Sequence, residues 1–161
     1  MNTVVARRSP QDIARLCAQA MWATDRASQE LGIELLEVGP GTAMLAMTIT
    51  ARMINGHGSA HGGFIFALAD SAFAFACNSY DERAVAAHCS VTYLRPGAVG
   101  QRLVAIARDV AREGRSGIYD VQITQDGVTI AAFRGHSLII GGSLIEAPDN
   151  APQSRDRNAR T

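Results

Sequence analysis

A carboxylate and a pair of glycines lie close together in an otherwise apolar stretch of the chain. The stretch runs from His61 to Ala76 and reads HGGFIFALADSAFAFA, with Asp70 as its only acidic residue. Because burying an unpaired carboxylate is costly, Asp70 either has a structural place, on the one uncovered stripe of a helix or as a cap of a neighbouring segment, or has a functional role. The sequence pattern alone leaves both interpretations open.

The glycines of this stretch, Gly62 and Gly63, stand where a helix would begin. Backbone N–H groups at the start of a helix point outward without partners, at the positive end of the helix dipole. They would stabilise a carbonyl oxygen that becomes an oxyanion, by about 3 kcal/mol per donor in known oxyanion holes. A glycine pair also serves as a tight entry from a loop into a helix, and this plainer interpretation stays open too.

The spacing of the two groups sets a condition on any shared chemistry. Asp70 follows Gly62 by eight residues, which on one helix separates them by about 12 Å. Groups that act on one carbon must approach it within about 3 to 3.5 Å. If both residues are catalytic, they must come from two copies of the chain, with two such helices antiparallel at a twofold interface. A functional interpretation therefore requires at least a homodimer.

The elements that position these residues follow from periodicity and turn signals. Ser9 and Pro10 are typical of a helix start, and helical spacing predicts one helix over about 10–29. The apolar segment that begins at these glycines predicts a second helix from Gly62 to about Tyr80. Alternation and turn residues predict strands over 33–38, 42–50, 84–94, 101–112, 117–125 and 128–140. This order predicts an α+β fold in which one curled antiparallel sheet wraps around a long central helix.

Length and composition limit the class of protein. The 161 residues predict one domain over 1–141 and a polar tail over 142–161. A formal net charge of zero provides no basic field for nucleic acid, and all 15 basic residues are arginine, so no lysine is available for Schiff-base chemistry. No segment has the apolar length of a membrane span, and three scattered cysteines are typical of a reducing compartment, so we expect a cytoplasmic protein.

The motifs around the glycines resemble a known family. NGHGSAHGG over 55–63, LAD over 68–70 and ACNS over 76–79 are similar to the hotdog-fold acyl-CoA thioesterases, and within them to the PaaI type associated with phenylacetate degradation. Further matches are Asp25, LGI over 31–33, YLRPG over 93–97, GIYDV over 117–121 and FRG over 133–135. The resemblance therefore covers nearly the whole chain up to the polar tail.

The resemblance implies hydrolysis of an acyl-CoA thioester to free acid and coenzyme A, without a metal or other cofactor, by dimers that usually pair into tetramers. Asp70 matches the catalytic carboxylate, as nucleophile or as general base toward water. Gly62 matches the backbone donor to the thioester oxygen, and Gly63 lies beside it as a substrate-binding residue. His61 and Asn55 match positions that support this loop and help to orient substrate or water.

Two positions depart from the family pattern, and both concern groups that assist the carboxylate. Thr24 stands where an asparagine can occur, and Ala74 or Ala86 aligns with a serine or threonine that helps to hold water in some relatives. Water activation would then depend more heavily on Asp70. The predicted apolar helix contains four phenylalanines, Phe64, Phe66, Phe73 and Phe75. Their rings favour a small aromatic acyl group, phenylacetyl or a hydroxylated relative.

Other classes of function find less support. His57 and His61 span a glycine-rich loop rather than a helix, so we expect no metal site. A hotdog dehydratase would need a His–Asp pair in its own loop motif, and an acyl-CoA-sensing regulator would need a DNA-binding appendage. A non-catalytic hotdog protein that binds acyl-CoA or serves as a scaffold remains the alternative. Arginine suits the phosphates of coenzyme A, but position alone does not select among Arg95, Arg115 and Arg134.

Overall fold

The computed structural model describes residues 8–145. Its helices are α1 (Pro10–Trp22), α2 (Arg26–Glu30) and α3 (Gly62–Cys77), with a short 3-10 turn at Ala51–Met53. Its strands are β1 (Glu34–Gly39), β2 (Thr42–Thr48), β3 (Ala84–Tyr93), β4 (Arg102–Glu113), β5 (Ser116–Gln125) and β6 (Val128–Ile139). The strands form one antiparallel sheet in the order β1-β2-β4-β5-β6-β3, so β1 and β3 are its edges. The predicted α+β architecture is confirmed.

The N-terminal helical region differs from the single helix expected over 10–29. It begins at Pro10 as predicted, but α1 ends at Trp22 and a separate short helix, α2, follows. The break occurs because the Asp25 carboxylate accepts a hydrogen bond from the Ser28 N–H at 3.0 Å and so caps a new helix. Aspartate favours this position over a helix interior, since its side chain competes with the backbone for the same donors.

The strands begin and end within two residues of the predicted positions. The turn between β5 and β6 shows why: Asp126 and Gly127 have φ angles of 51° and 76°, the left-handed values that a tight two-residue hairpin requires. Aspartate and glycine adopt these values more readily than other residues. The Asp126-Gly127 pair therefore predicted the position of this hairpin correctly.

Helix α3 lies against the inner face of the sheet and provides much of the core. Phe73 and Phe75 are each only 1% exposed, and the Phe73 ring packs so closely on β6 that a Cβ at Gly135 would lie 2.8 Å from it. The helix ends at Cys77 rather than near residue 80, because the Asn78 side chain donates to the Ala74 carbonyl and accepts from the Ala84 N–H. These bonds turn the chain directly into β3.

One stripe of α3 is left incompletely covered. Its members are mostly small residues at helical spacing, namely Gly63, Ala67, Asp70 and Ala74. Small side chains on a helix permit a close approach by a neighbouring backbone. Within residues 8–145 no helix has both the length and the apolar character needed to cross a bilayer.

The segment after β6 is tied to the loop that precedes β3. The Asp81 carboxylate accepts hydrogen bonds from the backbone N–H groups of Leu144 and Ile145 at 2.8 and 2.9 Å. The Arg83 N–H donates to the Gly142 carbonyl at 3.1 Å. The predicted tail thus starts with four residues that contact the domain, and its remainder, 146–161, lies outside the described residues.

Candidate active site

The N-terminus of α3 is capped by a histidine side chain. His61 is the N-cap residue, and its Nδ1 accepts a hydrogen bond from the Gly63 N–H at 3.0 Å. The His61 backbone N–H in turn donates to the Met53 carbonyl at 2.7 Å, which fixes the residue in the loop. Because Nδ1 acts as an acceptor, a neutral His61 carries its proton on Nε2. The Gly63 N–H therefore already has an acceptor. Of the two glycine amides expected to face a substrate, only that of Gly62 is left.

The remaining glycine amide is free. Among the described residues the Gly62 N–H has no hydrogen-bond acceptor, and it lies at the positive end of the α3 dipole. The His61 carbonyl, which shares a peptide plane with this N–H, accepts from the Phe64 N–H at 3.0 Å along the helix. The Gly62 N–H consequently points away from the helix, toward any group that approaches its N-terminus.

Asn55 organises the loop that leads into the helix. Its Oδ1 accepts from the backbone N–H groups of His57 and Ser59 at 2.9 and 3.3 Å, and its backbone N–H donates to the Ser59 carbonyl at 2.8 Å. Asparagine is well suited to such local turns because its side chain mimics the backbone. The structure therefore gives Asn55 a supporting contact to this loop at Ser59, which lies two residues before the His61 cap.

A cavity of about 470 Å³ opens directly beside the free amide. Its walls include Gly62, Asn55, Ser59, Tyr93 and Arg95. Of the three arginines considered from the sequence, only Arg95 lines this cavity. The other two already have partners, because Arg134 forms a bidentate pair with Asp120 and Arg115 donates to the Ile139 carbonyl.

Asp70 lies in the middle of α3, half-buried against the edge strand β3. Within residues 8–145 the one hydrogen-bond partner of its side chain is the Cys89 thiol, with Sγ 3.9 Å from Oδ1, and it forms no ion pair. Burial raises the pKa of the Asp70 carboxyl, and the hydrogen bond from Cys89 offsets part of that rise. A carboxylate with a raised pKa is a stronger base than an exposed one, which suits proton abstraction from water.

The neighbouring thiols are poor nucleophiles. Burial and the nearby Asp70 carboxylate raise the pKa of Cys77 to about 12, and the same causes raise the pKa of Cys89. Both thiols therefore stay protonated at neutral pH, and the thiolate is the reactive form. Neither cysteine is therefore a candidate nucleophile at neutral pH, and Asp70 is the candidate reactive group of this region.

The structure brings together four of the five residues predicted for the site. Asn55, His61, Gly62 and Gly63 form one corner at the start of α3. Asp70 lies two turns further along the same helix, about 12 Å away at 1.5 Å per residue. A single chain thus separates the carboxylate from the free amide, as the spacing predicted.

Sequence reasoning assigned no role to two residues that contact this machinery. Cys89 touches Asp70, and the Tyr93 hydroxyl donates to the Gly62 carbonyl at 2.8 Å. The signal was the alternation of β3, which places Cys89, Val91 and Tyr93 on the same face of the sheet. Since that face carries the central helix, both side chains must meet α3.

The phenylalanines divide into two pairs. Phe73 and Phe75 belong to the core, whereas Phe64 and Phe66 are only partly buried. Phe64 borders a second cavity of about 460 Å³, which also contacts α2 and the 3-10 turn.

Within the described residues, no group of three or more His, Cys, Asp or Glu side chains is placed to hold a metal ion.

The sequence matches a family model and several named proteins. A family model described as the thioesterase superfamily matches residues 57–132. The chain is 45% identical over 128 residues to the acyl-coenzyme A thioesterase PaaI of Escherichia coli K12, a match that covers 79% of this chain and 91% of the relative. It is also 39% identical over 111 residues to a protein named putative esterase from Deinococcus radiodurans, covering 67% of this chain and 75% of the relative.

Solved structures give the same result. The E. coli PaaI protein from the phenylacetic acid degradation operon superposes with a TM-score of 0.82 at 43% identity, covering 84% of this chain and 99% of that one. A mutant of the phenylacetic acid degradation protein PaaI from Thermus thermophilus superposes with a TM-score of 0.70 at 39% identity, covering 72% and 100%. The chain therefore belongs to the thioesterase superfamily, as a hotdog-fold thioester hydrolase of the PaaI type.

Proposed function

We propose that this protein hydrolyses acyl-CoA thioesters, and that its substrate carries a small aromatic acyl group such as phenylacetyl or hydroxyphenylacetyl. The observation that carries the proposal is the free Gly62 amide at the N-terminus of α3, with the half-buried Asp70 on the same helix. The relationship to a relative named acyl-coenzyme A thioesterase supports the CoA ester. A relative from a phenylacetic acid degradation operon supports the aromatic acyl group.

The proposed site is built from two protomers. Asp70 and Gly62 lie too far apart on one helix to act on one carbon, so the carboxylate of one protomer must meet the amide of the other. The stripe of small residues on α3 favours an antiparallel helix pair, and the unpaired edge of β3 offers backbone groups to a second copy. We propose a homodimer as the active unit and a pair of dimers as the assembled enzyme.

The reaction needs only water and groups of the protein. The Gly62 N–H donates to the thioester oxygen and stabilises the negative charge that develops there. Asp70 of the other protomer either takes a proton from the attacking water or attacks the carbonyl carbon itself, forming an anhydride that water then hydrolyses. In both routes the C–S bond breaks and the products are the free acid and coenzyme A. No metal or other cofactor enters the proposed steps.

The cavity and the aromatic rings near the site favour a small acyl group. The cavity of about 470 Å³ beside Gly62 is in the size range of a small-molecule site. Phe64 and Phe66 offer partly exposed rings on α3, on the turn of the helix that follows the free amide. Aromatic rings pack favourably against an aromatic acyl group.

The cysteines support a reducing location. All three, Cys17, Cys77 and Cys89, are free thiols in the structure. Free cysteines persist where glutathione and thioredoxin keep thiols reduced. We place the enzyme in the cytoplasm.

Steady-state hydrolysis tests the proposal directly. The full-length protein is incubated with a panel of acyl-CoA esters (acetyl, hexanoyl, benzoyl, phenylacetyl and hydroxyphenylacetyl), and released thiol is measured. We expect the highest kcat/KM with the arylacetyl esters, and no turnover by Asp70→Asn. Equal turnover by Asp70→Asn would remove the carboxylate from the mechanism, and a preference for straight-chain esters would overturn the aromatic substrate.

A further inference from the structure

The peptide group between Gly62 and Gly63 is held at both of its polar atoms. Its N–H donates to His61 Nδ1 at 3.0 Å, and its carbonyl accepts from the Tyr93 hydroxyl at 2.8 Å. Tyr93 is the last residue of β3 and follows Gly62 by 31 residues in the sequence. Two side chains from separate elements thus fix one peptide plane at the start of α3.

The Tyr93 ring adds a steric contact to this hydrogen bond. A Cβ placed on Gly62 would lie 2.9 Å from the ring Cζ and hydroxyl oxygen, closer than side-chain carbons approach in folded proteins. A side chain at position 62 would therefore push the Tyr93 ring out of this contact. The φ angle of Gly62 is not in the left-handed region, so the ring, rather than the backbone conformation, accounts for the glycine.

Two adjacent glycines need such a restraint. Glycine has the widest choice of backbone angles, and fixing it in one conformation costs more entropy than fixing any other residue. The free Gly62 N–H lies one peptide plane before the clamped one, so rotation at Gly62 would change the angle between the two planes. A donor stabilises an oxyanion best when it is held in place before the charge develops.

We propose that Tyr93 is a positioning residue for thioester hydrolysis: its hydroxyl and ring, together with the His61 imidazole, hold the Gly62–Gly63 peptide so that the Gly62 N–H meets the thioester oxygen at a fixed angle. This inference rests on the proposed function. Tyr93 acts here as a hydrogen-bond donor and not as an acid. Burial raises the pKa of its phenol, which keeps the proton on the hydroxyl at neutral pH.

The test compares two tyrosine-to-phenylalanine variants. Tyr93→Phe keeps the ring against Gly62 and removes only the hydroxyl. Tyr80→Phe is the matched control, because its hydroxyl also donates a 2.8 Å hydrogen bond, to Asp109, beyond the opposite end of α3. We expect Tyr93→Phe to lower kcat by about five- to tenfold, the effect of one hydrogen bond, with KM changed less than twofold. Tyr80→Phe should keep the wild-type kcat.

A spectroscopic measurement separates positioning from a general loss of structure. A phenylacetyl-CoA labelled with ¹³C at its carbonyl is bound to Asp70→Asn, which retains the amide but does not turn over. Infrared difference spectra then report how strongly the amide polarises the carbonyl. In the double variant with Tyr93→Phe, we expect the carbonyl band to move toward its frequency in free substrate; in the double variant with Tyr80→Phe, it should stay.

The outcomes distinguish this inference from the function on which it rests. An active wild type with unchanged kcat in Tyr93→Phe, or an unchanged carbonyl band, overturns the positioning role alone. Equal losses in both tyrosine variants would also overturn it, because they would indicate stability rather than geometry. A wild type inactive toward every ester of the panel would overturn the proposed function, and the positioning role with it.

Discussion

Cys89 on β3 faces Asp70 on α3, with its Sγ 3.9 Å from the carboxylate Oδ1. This thiol is the only hydrogen-bond donor to the Asp70 side chain among residues 8–145. Burial raises the pKa of Asp70, and donation from Cys89 favours the ionised form and so works in the opposite direction. Burial and the Cys89 contact therefore act in opposite directions on the pH at which the Asp70 carboxyl ionises.

The first prediction concerns the acidic limb of the pH–rate profile. Because the proposed reaction requires ionised Asp70, kcat/KM should fall with decreasing pH at a value above the ordinary aspartate range. Cys77 and Cys89 are the titratable groups that face Asp70 from α3 and β3, and both stay protonated in this range. Cys89→Ala removes the donor, so its limb should lie at still higher pH. Cys89→Ser retains a donor and should resemble the wild type; coincident limbs in all three proteins would contradict the role of the thiol.

The second prediction concerns stability. A carboxyl whose pKa is raised by folding contributes fully to stability below its unfolded pKa, near 3.8, and that contribution is lost as pH rises through the folded pKa. Asparagine at position 70 does not titrate. The Tm of Asp70→Asn relative to wild type should therefore increase from pH 4 to pH 8, as measured by thermal melts at fixed protein concentration. A difference in Tm that decreases over this range would show that folding lowers the pKa of Asp70.

Much of this fold was predictable because its signals are local. The HGG entry marked the start of α3 at Gly62, and Asp126-Gly127 marked the β5–β6 hairpin. The unpredicted features depend on side-chain geometry. Asp25 starts a new helix through its carboxylate, and Gly63 loses its free N–H to the imidazole that precedes it by two residues. The contact of Tyr93 with Gly62 depends on the register of β3 against β6, and no short sequence motif predicts that register.

The third prediction isolates the backbone amide of Gly62. Proline is tolerated at the first position of a helix, and His61 already has a ψ angle of 132°, which suits a residue before proline. Gly62→Pro therefore removes the N–H, whereas Gly62→Ala keeps the N–H and introduces a similar contact with the exposed Tyr93 ring. We expect kcat of the proline variant to be about 10²- to 10³-fold below that of the alanine variant. Equal kcat values would mean that this amide does not contact the reacting oxygen.

The fourth prediction tests whether the site is shared between protomers. Gly62→Pro and Asp70→Asn should each be inactive alone. When the two variants are unfolded together and refolded as a mixture, about half of the dimers contain one chain of each kind. In such a heterodimer one site combines both substitutions, but the other combines the unmodified Asp70 of one chain with the unmodified Gly62 of the other.

Random mixing should therefore restore about one quarter of the wild-type turnover, since half of the dimers each carry one intact site out of two. The control is a mixture of Asp70→Asn with a chain that carries both substitutions, in which no site is intact and no activity should return. Mixing without unfolding should restore activity only as fast as subunits exchange. If the carboxylate and the amide acted within one chain, both mixtures would stay inactive, because every chain then lacks one of the two groups.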